Sequence, residues 1–291
     1  PSSGELQNEV FARANGMKLG DVAQSMTIHD GTAYIVVNNS GIVFGIDPET
    51  FRIERVIRGI GSPRYICFND SVAYVTSLYE PRIAVVDVAT AAVADYIETP
   101  DHTSTEQMAI WGDTLYVSCW SYDEAVLMVD LRWGEVAGET GVRSQPRQIG
   151  LAGDGRLWVL TDGGYGEGSS PKPPALYRID AASGSIEREF VFRMGDTPRG
   201  LAVGAGGDTV YFLNGDVWRM DTDAEELPRE PFIPASNTIY YALGVDPRRG
   251  DIYVGDAIDY QQQGVVYRFS ADGRGLDTLR VGIIPTDFCF R

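Results

Sequence analysis

The stretch Ser62-Pro63-Arg64-Tyr65-Ile66-Cys67 is followed by the polar turn Asn69-Asp70, the apolar-aromatic run Val72 to Ser77, and a further run Ile83 to Val86 closing on Asp87. It reads as short strands joined by turns: β-branched and aromatic residues suit a pleated, half-buried surface, and Asn and Asp turn the chain. The same order recurs. With Ile66 as anchor, the equivalents are Met26, Ile66, Met108, Ile149, Leu201, Leu243 and Phe288, at spacings of 40, 42, 41, 52, 42 and 45 residues. Short strands repeating at this period are the signature of a β-propeller in which each repeat is one blade. Seven anchors predict an all-β, seven-bladed propeller forming a single domain over residues 1–291.

The first six anchors lead into strands that each hold an aromatic, Tyr34, Tyr74, Tyr116, Trp158, Tyr211 and Tyr253, all expected to pack. The next strand usually closes on aspartate, at Asp47, Asp87, Asp130, Asp180 and Asp221, with Ser270 in the sixth unit; these side chains are expected to bond turn amides. Phe288 stands three residues from the end, so the seventh unit has an inner strand and nothing after it. The ring is therefore expected to close by an N-terminal strand, drawn from Glu5 to Met17, in the same blade as the C-terminal inner strand. Few residues precede the first repeat, which suggests a missing upstream segment or a thin last blade.

The chain has 291 residues, 44% hydrophobic, with 41 acidic and 24 basic residues and a formal net charge of -17. That composition fills a core, and that charge disfavours nucleic acid and anionic membrane surfaces as partners. No apolar run approaches the roughly 20 residues of a membrane helix.

Antiparallel alternation gathers the starts of the inner strands and the loops after the second strands on one face. That face collects Pro63-Arg64-Tyr65, Glu106-Gln107, Pro146-Arg147-Gln148, Pro198-Arg199 and Tyr240-Tyr241, surrounded by Trp120-Ser121-Tyr122, Asp162 to Gly168 and Asp256 to Gln263. The longest repeat places its extra residues there, in the Gly, Ser and Pro loop Gly163 to Ala175, and long loops in compact domains are often binding loops. The other face carries ordinary turns such as Asp30-Gly31 and Gly153-Asp154-Gly155. Aromatics interleaved with amides and arginines suit a flat or ring-shaped ligand studded with amide groups.

Catalytic signatures are scarce. His29 and His102 are the two histidines, in no HExxH or HxH spacing, and both read as solvated surface residues, which excludes a histidine-rich metal site. There is no GxSxG elbow and no GxxxxGK[ST] loop, and Cys67, Cys119 and Cys289 fall in strand patterns as small hydrophobes. A carboxylate-metal hydrolase built on Glu106, Asp256, Asp259 and Asp287 stays open beside the reading that these groups cap loop amides.

The strings Gly20-Asp21-Val22-Ala23-Gln24-Ser25-Met26, Ile35-Val36-Val37-Asn38-Asn39-Ser40-Gly41, Ser62 to Ile66, Trp120-Ser121-Tyr122, Trp158 to Tyr165, Asp256 to Tyr260 and Gly282 to Phe288 carry a resemblance over almost the whole chain. The sequence resembles the YncE-like seven-bladed propellers of Bacteroidetes cell surfaces, and among them the BtuG-type surface lipoproteins that capture cobalamin. The resemblance implies a lipid-anchored protein at the outer-membrane surface that binds cobalamin or another corrinoid as ligand, not as cofactor, and hands it to a TonB-dependent outer-membrane transporter, without enzymatic activity. No DxHxxG motif is present, so cobalt ligation by histidine is not expected. The residues expected to carry binding are Arg64, Tyr65, Trp120, Tyr122, Arg147, Tyr165, Arg199, Tyr241, Asp256, Asp259 and Tyr260. A surface-interaction or glycan-binding propeller is the alternative.

Overall fold

Second strands of the repeats have no polar face, and that decides how the sheets assemble. In the computed structural model, which describes residues 6–164, 171–235 and 238–291, Thr32–Val37 is buried at every position. Its odd residues Ala33, Ile35 and Val37 pack to one side with Phe11 and Phe44, while Tyr34 and Val36 pack to the other against the next repeat's Ile66 and Val75. A sheet apolar on both faces must be stacked between two others.

Six sheets do this among the described residues. The first comprises β1 (Ala23–His29), β2 (Thr32–Val37), β3 (Ile42–Ile46) and β4 (Ile53–Arg58). The second holds β5 (Pro63–Asn69), β6 (Val72–Ser77), β7 (Arg82–Asp87) and β8 (Ala92–Glu98). The third holds β9 (Thr105–Trp111), β10 (Thr114–Cys119), β11 (Ala125–Asp130) and β12 (Glu135–Gly141), and the fourth β13 (Pro146–Leu151), β14 (Arg156–Thr161), β15 (Ala175–Asp180) and β16 (Ser185–Val191). The fifth has three strands, β17 (Arg199–Val203), β18 (Thr209–Asn214) and β19 (Asp216–Asp221), with Ile233 bridging Val217 where a fourth would lie. The sixth holds β20 (Tyr240–Val245), β21 (Ile252–Asp256), β22 (Gln263–Phe269) and β23 (Gly275–Ile283). Each is an antiparallel meander, and successive first strands lie side by side around the axis.

All six aromatics of the second strands are in place, Trp158 wholly buried and Tyr34 and Tyr116 nearly so. Asp47, Asp87, Asp130 and Asp180 accept turn amides, those of Glu49, Thr90, Arg132 and Ala182, at 2.7 to 2.9 Å.

The blade count and the closure differ from expectation. The molecule is a six-bladed propeller, not seven-bladed: Phe288 stands at repeat spacing, but its segment joins no sheet. Nor does an N-terminal strand pair with it. Residues Val10–Asn15 form the short helix α1, whose Phe11 packs on Phe44 with ring centroids 5.2 Å apart. Its one aromatic, Phe11, is buried on blade one from a helix, where a lone strand would have no pairing partner. The C-terminal segment lies between blades six and one. Phe288 fills the notch left by Gly244, where a Cβ would come within 2.6 Å of it, and Phe288 and Phe290 both pack on Tyr253. On the other side Thr286 donates to the Ala23 carbonyl and Met26 donates its amide to Asp287. Asn8 reaches the Arg280 carbonyl of β23. Five joints are therefore sheet on sheet, and the sixth is a seam filled by both termini.

Because Phe288 is only partly buried, Phe288→Ala is expected to destabilise the fold by about 2 kcal/mol, less than the loss of a fully buried Phe. Urea unfolding measures it, and an unchanged midpoint would show that the seam contributes nothing.

Candidate functional site

Every inner strand is irregular near its start. Pairing with the second strand slips between Ala23 and Ser25, Pro63 and Ile66, Pro146 and Gln148, Arg199 and Ala202, and Tyr240 and Ala242, and in blade three opposite Val117 to Cys119. Bulges turn side chains away from the ladder and recur next to binding sites. The residues two before each anchor stand in or beside these breaks: Gln24, Arg64, Glu106, Arg147, Tyr241, and Arg199, which still pairs with Leu213. Thr76 and Ser118 repair two of the interrupted ladders, their hydroxyls accepting from the Tyr65 and Gln107 amides. In blade five Gly200 takes φ 64° within the bulge, pressed between Leu213 and Leu243.

These side chains touch around the rim. Arg64 Nε and Nη2 donate to the two Glu106 carboxylate oxygens, each at 2.6 Å, and Nη1 donates to Gln24 Oε1 at 2.8 Å. Arg64 is 6% exposed and Glu106 0%. The Trp120 ring lies between two guanidiniums, Arg64 at 5.4 Å and Arg147 at 5.1 Å from its centroid, and its indole donates to Asp162 at 3.0 Å. Burial raises the Asp162 carboxyl above its ordinary value, against the pull of the indole, the Gly164 amide, Arg147 and Arg199. Further round, Arg199 sits 5.7 Å from the Tyr241 ring, which meets Tyr260 edge to face at 5.7 Å. A cleft of about 410 Å³ opens between Arg147, Asp162, Lys172, Met194 and Arg199.

Deeper in the throat, residues one before the anchor link neighbouring blades. Gln107 Oε1 accepts from the Ile149 amide, Gln148 Oε1 from Leu201, and Asp287 Oδ2 from Met26 in the same relation. Asp287 is reached by water yet hemmed in by protein on most sides, and that partial desolvation lifts its carboxyl to about 6 despite the Met26 and Phe288 amides. Tyr65, whose hydroxyl accepts from Gln24 Nε2, is pushed up to about 12 by burial and by the charges of Glu106 and Asp287.

Of the expected binding residues, Arg64, Tyr65, Trp120, Arg147, Arg199, Tyr241 and Tyr260 gather on this rim and throat. Tyr122 is on the same face but stands out in solvent, 66% exposed. Tyr165 lies outside the described residues. Asp256 is a correction: it is buried at the end of β21 and accepts the Ile239 and Ile258 amides, so it holds its own loop. Asp259 likewise caps a turn through the Gln261 and Gln262 amides, which hold its carboxyl below the ordinary range. Glu106, Asp256, Asp259 and Asp287 thus have separate partners and form no shared metal cradle among the described residues. Gln24 and Asp162 are rim members that the binding expectation omitted; the register two before the anchor points to Gln24, and Asp162 opens the long loop already placed on this face. The larger cavity, about 460 Å³, is on the opposite face beside Asp47, Glu49 and Arg291, whose polar groups already bond one another or turn amides.

The histidines are also corrected. His29 is not solvated surface but stacks on Phe68 at 4.3 Å, with Nε2 2.8 Å from the Asp70 carbonyl. His102 is partly buried between carboxylates, Asp123 at 2.8 Å and Glu139 at 3.2 Å.

Fold and rim together define a β-propeller with one face lined by arginines and aromatics. Residues 2–281 match DUF5074, described as a domain of unknown function, and the chain belongs to that family. No curated protein matches it. Among solved structures, hydrazine synthase of Kuenenia stuttgartiensis is similar at a TM-score of 0.77 and 17% identity, over 91% of this chain and 88% of that one. A quinoprotein alcohol dehydrogenase-like protein from Bacteroides thetaiotaomicron is similar at 0.69 and 18% identity, over 94% and 70%. At such identities the likeness speaks to the fold alone.

Arg64→Ala is expected to cost about 3 to 5 kcal/mol, because it strands the Glu106 carboxylate without its cation; adding Glu106→Gln should recover most of it. Denaturant unfolding of the single and double variants tests this, and equal stabilities would refute it. Asp287 has a raised folded value, so its contribution to stability is complete below the unfolded value near 4 and is lost as pH rises through about 6. The stability difference between Asp287→Asn and the parent should therefore move in the variant's favour from about pH 4 to about pH 7, whatever its offset. A pH-independent difference would contradict the assignment.

Proposed function

We propose that the rim captures cobalamin or a related corrinoid, binding it without chemical conversion, at the outer-membrane surface for delivery to a TonB-dependent transporter. The observation that supports this reading is the run of side chains around the rim, with Arg64, Arg147 and Arg199 from the inner strands and their breaks interleaved with Trp120, Tyr241 and Tyr260. A corrinoid offers a broad ring edged with amides and a phosphodiester in its nucleotide loop. Guanidinium forks suit amide carbonyls and phosphate, and Tyr and Trp faces suit the macrocycle and the benzimidazole. In a chain of net charge -17, Arg147 and Arg199 on one rim offer a phosphate a local positive counterpart. The surface location, the lipid anchor and the transporter rest on the resemblance of the sequence strings.

A glycan-binding face is the second reading, favoured by Tyr79, Tyr122 and Tyr260, which are 74%, 66% and 43% exposed in the surrounding loops.

Calorimetric titration with cyanocobalamin tests the proposal, comparing the parent with the Arg199→Ala/Tyr260→Ala double variant, which leaves the structural Arg64–Glu106 pair intact. Two anchors at about 2 kcal/mol each predict a weakening of roughly a thousandfold. Tight binding unchanged in the variant would place the site elsewhere. No heat at high micromolar ligand would end the corrinoid reading, and a glycan array would then decide for the second.

A further inference from the structure

Blade three carries a cluster that the rim does not use. His102 from the loop between β8 and β9, Cys119 at the end of β10, and Asp123 from the loop between β10 and β11 bring an imidazole nitrogen, a thiol sulfur and a carboxylate oxygen within 4.8 Å of one another. Glu139, facing out from β12, lies on the other side of the ring, 3.2 Å from His102 Nε2. It is the one such group among the described residues.

Each donor is held from behind. Asp123 Oδ1 accepts the Glu124 and Ala125 amides, which leaves Oδ2 turned to His102 Nδ1. The His102 backbone is pinned at both ends, its amide donating to the Thr99 carbonyl and its carbonyl accepting from Thr99 Oγ1. Cys119 is fixed by pairing with Thr105 and is fully buried in the core shared by blades two and three. Second-shell bonds of this kind orient metal ligands. Burial and the charges of Asp123 and Glu139 push the Cys119 thiol up, so the sulfur is protonated without a metal.

We propose that His102, Cys119 and Asp123, with water in the fourth position, bind one Zn²⁺. A mixed nitrogen, sulfur and oxygen set this close together suits zinc, whereas calcium and magnesium require oxygen ligands alone. Binding replaces the thiol proton with the ion and releases that proton to solvent; no electron moves. The ion would tie the loop leading into β9, the end of β10 and the loop leading into β11. That last loop also carries Trp120, so the site would brace the rim from beneath.

Cobalt substitution tests this on the intact protein. Titrating chelator-treated protein with Co²⁺ should give visible bands of tetrahedral cobalt and a thiolate-to-cobalt charge-transfer band in the near ultraviolet, saturating at one equivalent and reversed by Zn²⁺. Cys119→Ser should lose the charge-transfer band, and His102→Asn should lose tetrahedral binding; circular dichroism checks that each variant is folded, and if either is not, the same bands in the Cys67→Ser/Cys289→Ser variant assign the thiolate to Cys119. If the parent shows neither the charge-transfer band nor a Zn²⁺-dependent rise in Tm, the cluster is a hydrogen-bonded His–carboxylate clasp and the proposal is overturned.

Discussion

The second strand of each repeat has no side that tolerates water, and the molecule follows from that. Alternate residues of β2 enter different cores, and the same holds from blade to blade, with Tyr74 and Leu115 joining blades two and three and Trp158 and Phe212 joining four and five. A sheet with two apolar faces cannot end a stack, so the stack closes into a ring. The outer strands read differently. In β8, β12 and β16 exposed positions dominate, since only the blade's outer edge meets solvent.

The rim is a by-product of the same geometry. First strands converge on the axis and cannot all run straight into it, and each slips its register at the entrance. The slip frees one or two side chains per blade from pairing and lets them reach the neighbouring blade's equivalents. Position two before the anchor thus has a fixed place in the molecule while its residue type varies, which is how one scaffold carries different chemistries.

Much of this was legible in the sequence and some was not, for identifiable reasons. The forty-residue period located all six inner strands and their aromatic partners, because buried strands leave a dense apolar signal. It overcounted blades because Phe288 satisfies the anchor pattern, whereas a blade needs pairing partners that a pattern match does not provide. Arg64 was expected to meet a ligand; its carboxylate partner Glu106 lies 42 residues away, one blade on, and only the ring brings them to 2.6 Å. Asp256 looked like a loop acid free to act, but a turn two residues long consumed it. Arg199 and Tyr241 meet because adjacent blades present the same register, and Tyr260 joins them from the loop after β21 of Tyr241's own blade.

The seam gives the ring a mechanical polarity. Its other joints are broad apolar faces that would have to separate all at once, whereas the joint between blades six and one is held by a few aromatic contacts and hydrogen bonds along the C-terminal segment and one bond from Asn8. Tension applied between the two ends of the domain would peel these contacts one after another, like a zip, before loading any blade. The propeller would then open as a curved strip with its blades intact, and could snap shut again without refolding a single sheet.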